Sequence, residues 1–181
     1  KDKIDWNNIR FFWVDERCVP PTEFRIVITG HANHLLFKPL CIPDGSYPPD
    51  QGRERAGYRG DALFMGRKGI LAVVHQMPTF DCIILGVGGD SHTASIFPTT
   101  MELLSDSRNY AVSQQPSTGQ YRITMTGPLI LNGAPLLVPI LGTNKEPVIQ
   151  RLSKGYFPSN DTPAAYILSH AVQATIYGLN P

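Results

Sequence analysis

Phe80-Asp81-Cys82-Ile83-Ile84-Leu85-Gly86-Val87-Gly88-Gly89-Asp90-Ser91-His92-Thr93-Ala94-Ser95-Ile96-Phe97-Pro98 is the stretch on which the reading of the fold turns. Its first six residues form a short apolar run, the pattern of a strand buried on both faces of a parallel sheet, with Cys82 as a small buried hydrophobe. Three glycines in four positions then let the backbone turn sharply and approach a ligand closely. Beyond them stand a carboxylate and an imidazole. In an open α/β sheet, ligands bind beyond the carboxyl ends of the strands, where this turn falls.

Working outward, Ile9–Val14, Tyr121–Thr126, Pro135–Leu141 and Val172–Tyr177 read as further strands, the first ending at the charged cluster Asp15-Glu16-Arg17. Between them, 31–40, 54–77 and 143–154 are helical candidates. The middle one is weakened by Gly57, Gly60, Gly66 and Gly69, each costing about 1 kcal/mol against alanine. The last is compatible with Pro147 only if that residue lies in the first turn. Alternation of strand and helix predicts an α/β fold with a mainly parallel, open sheet.

Composition narrows the function. The 181 residues suit one domain, and 16 Lys plus Arg against 15 Asp plus Glu leave a formal charge of +1. That balance argues against a broad surface for nucleic acid or anionic lipid, but not against a small basic pocket. The longest apolar tract, Ala134 to Leu141, is interrupted by Pro135 and Pro139 and falls short of a membrane span. Cys18, Cys41 and Cys82 have wide spacings and no C-x-x-C, so neither a disulfide framework nor a zinc site is expected, and a reducing compartment fits.

Asp90 and His92 sit two residues apart, which lets a carboxylate orient an imidazole for proton transfer. Asp90 capping a short helix, with His92 partly exposed, accounts for the same residues. A dinucleotide fingerprint is disfavoured, because Ser91 stands where G-x-G-x-x-G needs its third glycine. Read from residue type alone, Arg17 is a surface ion pair with Glu16, Arg122 a structural pair at a strand edge, and Lys145 an exposed helix residue.

Residues 86–98 resemble the signature of the 6-phosphogluconolactonases, G-x-G-x-D-G-H-T-A-S-[LI]-F-P. In the same order, Phe12 to Pro21 is similar to that family's strand followed by D-E-R-x-V-P. Arg122-Ile123-Thr124-Met125-Thr126 resembles its R-I-T-[LM]-T strand, with Leu131-Asn132 following, and Gly142-Thr143-Asn144-Lys145 resembles its G-x-x-K. The resemblance implies a single Rossmann-like, three-layer α/β/α domain over 1–181 that hydrolyses 6-phosphoglucono-1,5-lactone in the pentose phosphate pathway, without cofactor or metal and in the cytoplasm. It implies His92 as the general base and Asp90 as its orienting partner. Asp15 and Arg17, with Gly88 and Gly89, would line the sugar site, and Arg122 and Lys145 would meet the phosphate or the developing negative charge. A catalytically weak relative that binds sugar phosphates is the alternative.

Three departures generate expectations of their own. Ser91 replaces the family's glycine, at a cost of about 1 kcal/mol if φ is positive there. Arg25 to Gly30 stands where the family has a polar S-N-[YF]-G, and no segment resembles its upstream S-G-G loop, so either a further N-terminal portion or a shortened relative is expected.

Overall fold

The computed structural model describes residues 4–19, 27–47, 73–74, 77–142, 145–153 and 161–178, with 151–153 described by backbone alone. In chain order they form β1 (Asp15–Arg17), α1 (Ile28–Ala32), a π-helical turn (Asn33–Phe37), α2 (Lys38–Leu40), β2 (Val73–Val74), β3 (Met77–Pro78) and β4 (Ile83–Ile84). Then follow β5 (Tyr110–Gln114), β6 (Tyr121–Met125), α3 (Gly127–Ile130), β7 (Leu136–Ile140), α4 (Glu146–Ser153), α5 (Pro163–His170) and β8 (Ala174–Gly178).

The fold is mixed α/β. A parallel sheet runs β4-β7-β8, an antiparallel sheet runs β1-β6-β5, and β2 and β3 form a small hairpin. The expected parallel order therefore holds for β4, β7 and β8, whereas Tyr121–Met125 pairs antiparallel on both sides. Chain connectivity gives the reason. β5 and β6 are joined by a tight turn, closed by Gln115 N–H to Gln120 O at 2.9 Å and by Gly119 at φ +69°. Such a link makes antiparallel neighbours, while α4 and α5 provide the long crossover that a parallel β7–β8 pair needs. One hydrophobic cluster joins both sheets, with Leu85, Leu136 and Ile140 from the parallel side and Ile123 and Met125 from the antiparallel side.

Several elements differ from their sequence reading. Ile9–Val14 joins no ladder among the described residues, and the pairing begins instead at the charged Asp15. Cys82 is exposed rather than buried. β4 is an edge strand in the described sheet, with Ile83 and Leu85 turned into the core and Ile84 left 64% exposed beside a groove of about 500 Å³. Of the expected helix 54–77, residues 54–72 lie outside the described residues, and Val73, Val74 and Met77 are strand. Asn132 fixes that hairpin, its side-chain amide donating to the carbonyls of Val74, Met77 and Pro78. Glu146–Ser153 starts later than predicted and does place Pro147 in its first turn. The strand β5 and the helix α5 went unread, although Thr162-Pro163 is a legible start, with the Thr162 hydroxyl accepting from Ala165 N–H.

Helix α1 begins three residues before the predicted 31–40, because its cap comes from elsewhere in the chain. Val27, at the cap position, offers no side-chain hydrogen bond. Glu16, fully buried, accepts instead from Ile28 N–H at 2.8 Å, Thr29 N–H at 3.0 Å and the Thr29 hydroxyl at 3.1 Å, as well as from Arg17 N–H. These are orphan donors of a helix N-terminus, and a carboxylate is well matched to them. The π turn that follows has a local cause. Pro39 clashes with a regular helix ladder, and the Lys38 N–H reaches back five residues to Asn33 O just before it. Replacing Glu16 by Ala is expected to cost roughly 3 kcal/mol, because buried donors lose their acceptor. Urea unfolding will measure it, and Glu16→Gln should cost less because one acceptor oxygen remains.

Candidate active site

Strand alternation sorts the first charged cluster onto two faces. Glu16 points to the helix, while Asp15 and Arg17, two residues apart on β1, share the opposite face. There they line a cleft of about 430 Å³ together with Gly88, His92, Arg122 and Lys145. Six of the eight residues singled out in the sequence thus converge on one cleft. Asp90 joins them through His92, whereas Gly89 is not among the residues lining it. The volume suits a small metabolite. The slightly larger groove beside β4 gathers no comparable set. Its arginine, Arg10, is already engaged with the carbonyls of Asn7 and Ile9.

The signature loop after β4 is built on two left-handed residues, neither of them glycine: Ser91 at φ +64° and Ala94 at φ +51°. Ser91 N–H donates to Gly88 O at 3.0 Å and Gly88 N–H to His92 O at 2.9 Å, closing the turn that carries His92. The glycine whose absence of a side chain matters is Gly88. A Cβ there would fall 2.2 Å from His92 Cε1 and Nδ1 and 2.8 Å from Asp90 Oδ1. Gly86 and Gly89 have open space at the same position, so the glycine-rich run contains one steric requirement.

Asp90 Oδ1 lies 2.5 Å from His92 Nδ1 and also accepts the His92 backbone N–H at 3.1 Å. Burial pushes the Asp90 carboxyl up, but the hydrogen bonds and charge of His92 outweigh it, and the group ends below the usual carboxylate range. An ionised carboxylate only accepts, so Nδ1 carries a proton, and in the neutral imidazole the lone pair is then on Nε2. Phe97 packs against the ring at a centroid distance of 5.0 Å. The imidazole is therefore oriented and partly open to solvent, with Nε2 left outside the Asp90 contact.

The opposite wall is cationic. Arg17 and Arg122 face each other across the β1–β6 ladder, an arrangement that repels unless an anion intervenes. Burial, then the charge of Arg17, lowers the pKa of Arg122, and its Nε is buried with no hydrogen-bond partner among the described residues. Arg122 Nη1 stands 3.7 Å from Asp15 Oδ2. Arg122 is thus partly buried and paired with a carboxylate, as residue type suggests, but it lies on the central strand of its sheet and keeps a buried Nε without a hydrogen-bond partner among the described residues. Where the family resemblance led to a polar segment at Arg25–Gly30, Arg25 and Ile26 lie outside the described residues, and Ile28 presents an apolar side chain to the cleft.

Sequence reasoning missed the residues that lock these walls together. Ser95, fully buried, donates its hydroxyl to Asp15 Oδ2 at 2.6 Å and its N–H to Thr124 Oγ1 at 3.1 Å, and its carbonyl accepts the Ser113 hydroxyl. The identity of the A-S pair was visible, but not its partner 80 residues earlier.

Two outcomes follow from this geometry. Gly88→Ala should displace the His92 ring and remove the Asp90–Nδ1 hydrogen bond, read as loss of its signature in imidazole ¹⁵N NMR, while Gly89→Ala should leave that signature intact. Ser91→Gly should raise stability by up to about 1 kcal/mol in denaturant unfolding, because it relieves a left-handed serine.

The chain is similar to known proteins along most of its length. The family profile described as glucosamine-6-phosphate isomerases/6-phosphogluconolactonase matches residues 1–177. A 6-phosphogluconolactonase of Treponema pallidum is 37% identical over 153 residues, covering 81% of this chain and 60% of that protein. One from Haemophilus influenzae is 31% identical over 167 residues, covering 92% of this chain and 69% of its own length. The crystal structure of the devB protein superimposes with a TM-score of 0.85 at 28% identity, covering 98% of this chain and 74% of that one. The chain thus spans about two thirds of the length of these curated relatives. On the evidence of a profile match along nearly its whole length, the chain belongs to the glucosamine-6-phosphate isomerase/6-phosphogluconolactonase family.

Proposed function

We propose that the protein is a 6-phosphogluconolactonase, hydrolysing 6-phosphoglucono-1,5-lactone to 6-phosphogluconate. The observation that carries this reading is the Asp90-oriented imidazole of His92, set in one cleft with Arg17, Arg122 and Lys145. An imidazole alone suits many hydrolyses. Three cations in the same small cleft favour a substrate that carries a dianionic phosphate. The names of the two curated relatives point to the same substrate.

In this mechanism His92 Nε2 takes a proton from water as the oxygen attacks the lactone carbonyl carbon. The carbonyl π electrons move onto oxygen, giving a tetrahedral oxyanion beside the cationic wall. Collapse breaks the bond from that carbon to the ring oxygen, and His92 returns its proton to the departing oxygen. The product acid then ionises. Asp90 keeps the imidazole in its Nδ1–H form and stabilises the transient imidazolium. Arg122 and Lys145 hold the phosphate or the oxyanion, and Asp15 and Arg17 bind the sugar face. Gly88 leaves the ring room to sit over the turn. The reading extends to a three-layer, Rossmann-like α/β/α domain over residues 1–181, acting in the cytoplasm on a small phosphorylated sugar lactone. Among the described residues no helix is long and apolar enough to cross a membrane.

The test is the rate of hydrolysis of freshly generated lactone, corrected for its spontaneous opening. His92→Asn is expected to fold normally and lower kcat by about 10²–10⁴-fold. An unaltered rate in a folded His92→Asn protein removes His92 from the mechanism. A wild-type rate no faster than the spontaneous one favours a non-catalytic sugar-phosphate binder.

A further inference from the structure

We infer that Ser95 is a positioning residue for this site, its hydroxyl orienting the Asp15 carboxyl against Arg122, so that the signature loop fixes the cationic wall as well as the imidazole. The inference rests on the proposed lactonase reading for its kinetic consequences, but its physical core does not. Ser95 lies three residues after His92, fully buried, and all three of its polar groups are committed: the N–H to Thr124, the carbonyl to Ser113 and the hydroxyl to Asp15. The backbone N–H and carbonyl need partners whatever the side chain, so the hydroxyl bond to Asp15 is the contact that calls for serine. The two ladder-strand partners, Ser113 on β5 and Thr124 on β6, fix the Ser95 backbone, so the Oγ has a defined place from which to reach Asp15.

Asp15 Oδ2 is the shared atom. It accepts from Ser95 Oγ at 2.6 Å and faces Arg122 Nη1 at 3.7 Å, too long for a hydrogen bond between them. The short contact is therefore the one that sets the carboxylate's orientation, and the arginine feels its charge. That leaves the guanidinium of Arg122 for a ligand in the cleft. Around Asp15 stand Glu16 and Arg17 of the same strand and Arg122 of β6, with His92 and Lys145 lining the same cleft.

The sign of the pH effect follows. Burial raises the pKa of Asp15, and the Ser95 hydrogen bond, then Arg122 and Arg17, oppose that rise without cancelling it. Removing the Ser95 donor raises it further. Asp15 then stays protonated, and its grip on Arg122 is lost, to a higher pH than in the wild type.

The experiment combines kinetics with direct titration of Asp15 by carboxyl ¹³C NMR. Ser95→Ala is expected to move the Asp15 titration to higher pH and to lower kcat/KM about 10-fold near neutrality, mostly through KM, since a charge-assisted hydrogen bond is lost. The acid limb of the pH profile should shift upward with the titration. In an Asp15→Asn background the same substitution should have little further effect. An unshifted Asp15 titration in Ser95→Ala overturns the inference, as does an undiminished loss in the Asp15→Asn background, which marks a merely structural serine. If Ser95→Ala does not fold, Ser95→Cys, which retains a weak donor in a similar volume, carries the same test with a smaller shift. The titration reads out even if the wild type proves not to be a lactonase, so failure of the two readings can be told apart.

Discussion

The arrangement of the site depends on the alternation of three residues in one short strand. Asp15, Glu16 and Arg17 are all charged, yet the pleat of β1 sends the middle one into the protein and the outer two toward the cleft. Glu16 is fully buried because the N-terminus of α1 supplies backbone donors to meet its charge. That contact ties helix to strand across 12 residues of sequence. It also sets which face of β1 is left for Asp15 and Arg17. A one-residue slip would exchange these roles, burying two charges without donors and exposing the cap.

The loop that carries His92 is held with comparable economy of choice. Its unusual backbone falls at Ser91 and Ala94, while its glycines serve mainly as spacing, apart from Gly88, where any side chain would occupy the place of the imidazole. Strain at a functional loop persists only when neighbouring contacts over-determine it. Here the Ser91 carbonyl accepts the Ala164 N–H from α5, and Thr93 bonds back to Gly86 O, so the turn is tied at both ends. His92 and the cationic wall thus share one hydrogen-bonded frame, the arrangement the proposed mechanism needs for a fixed geometry between base and substrate.

Among the described residues the cleft is lined by more cationic than anionic side chains. Two arginines oppose each other across a ladder, and the carboxyl of Asp15, 3.7 Å from Arg122, is itself costly to ionise. Such an arrangement weakens the fold in isolation and gains when an anion enters. In the lactonase reading proposed above, this imbalance, rather than the overall charge of +1, is what selects a phosphorylated ligand.

What the sequence by itself determined was local: the run to Leu85 that ends in a glycine turn, the adjacency of Asp90 and His92, the first-turn place of Pro147, and the ordered motifs that carry the family resemblance. These are legible because a strand's period, a turn's glycine and a two-residue spacing act over a few bonds. The tertiary structure decided the rest. It turned β6 antiparallel, left Cys82 and Ile84 on an open edge, started α1 at a carboxylate 12 residues upstream, and gave Ser95 a partner 80 residues away. Apart from β6, whose tight turn from β5 sets its direction, the deciding feature is a buried hydrogen bond between distant segments or a face left uncovered among the described residues. Residue type alone states that a group can donate, accept or be buried, but only the folded chain brings a partner within hydrogen-bonding distance.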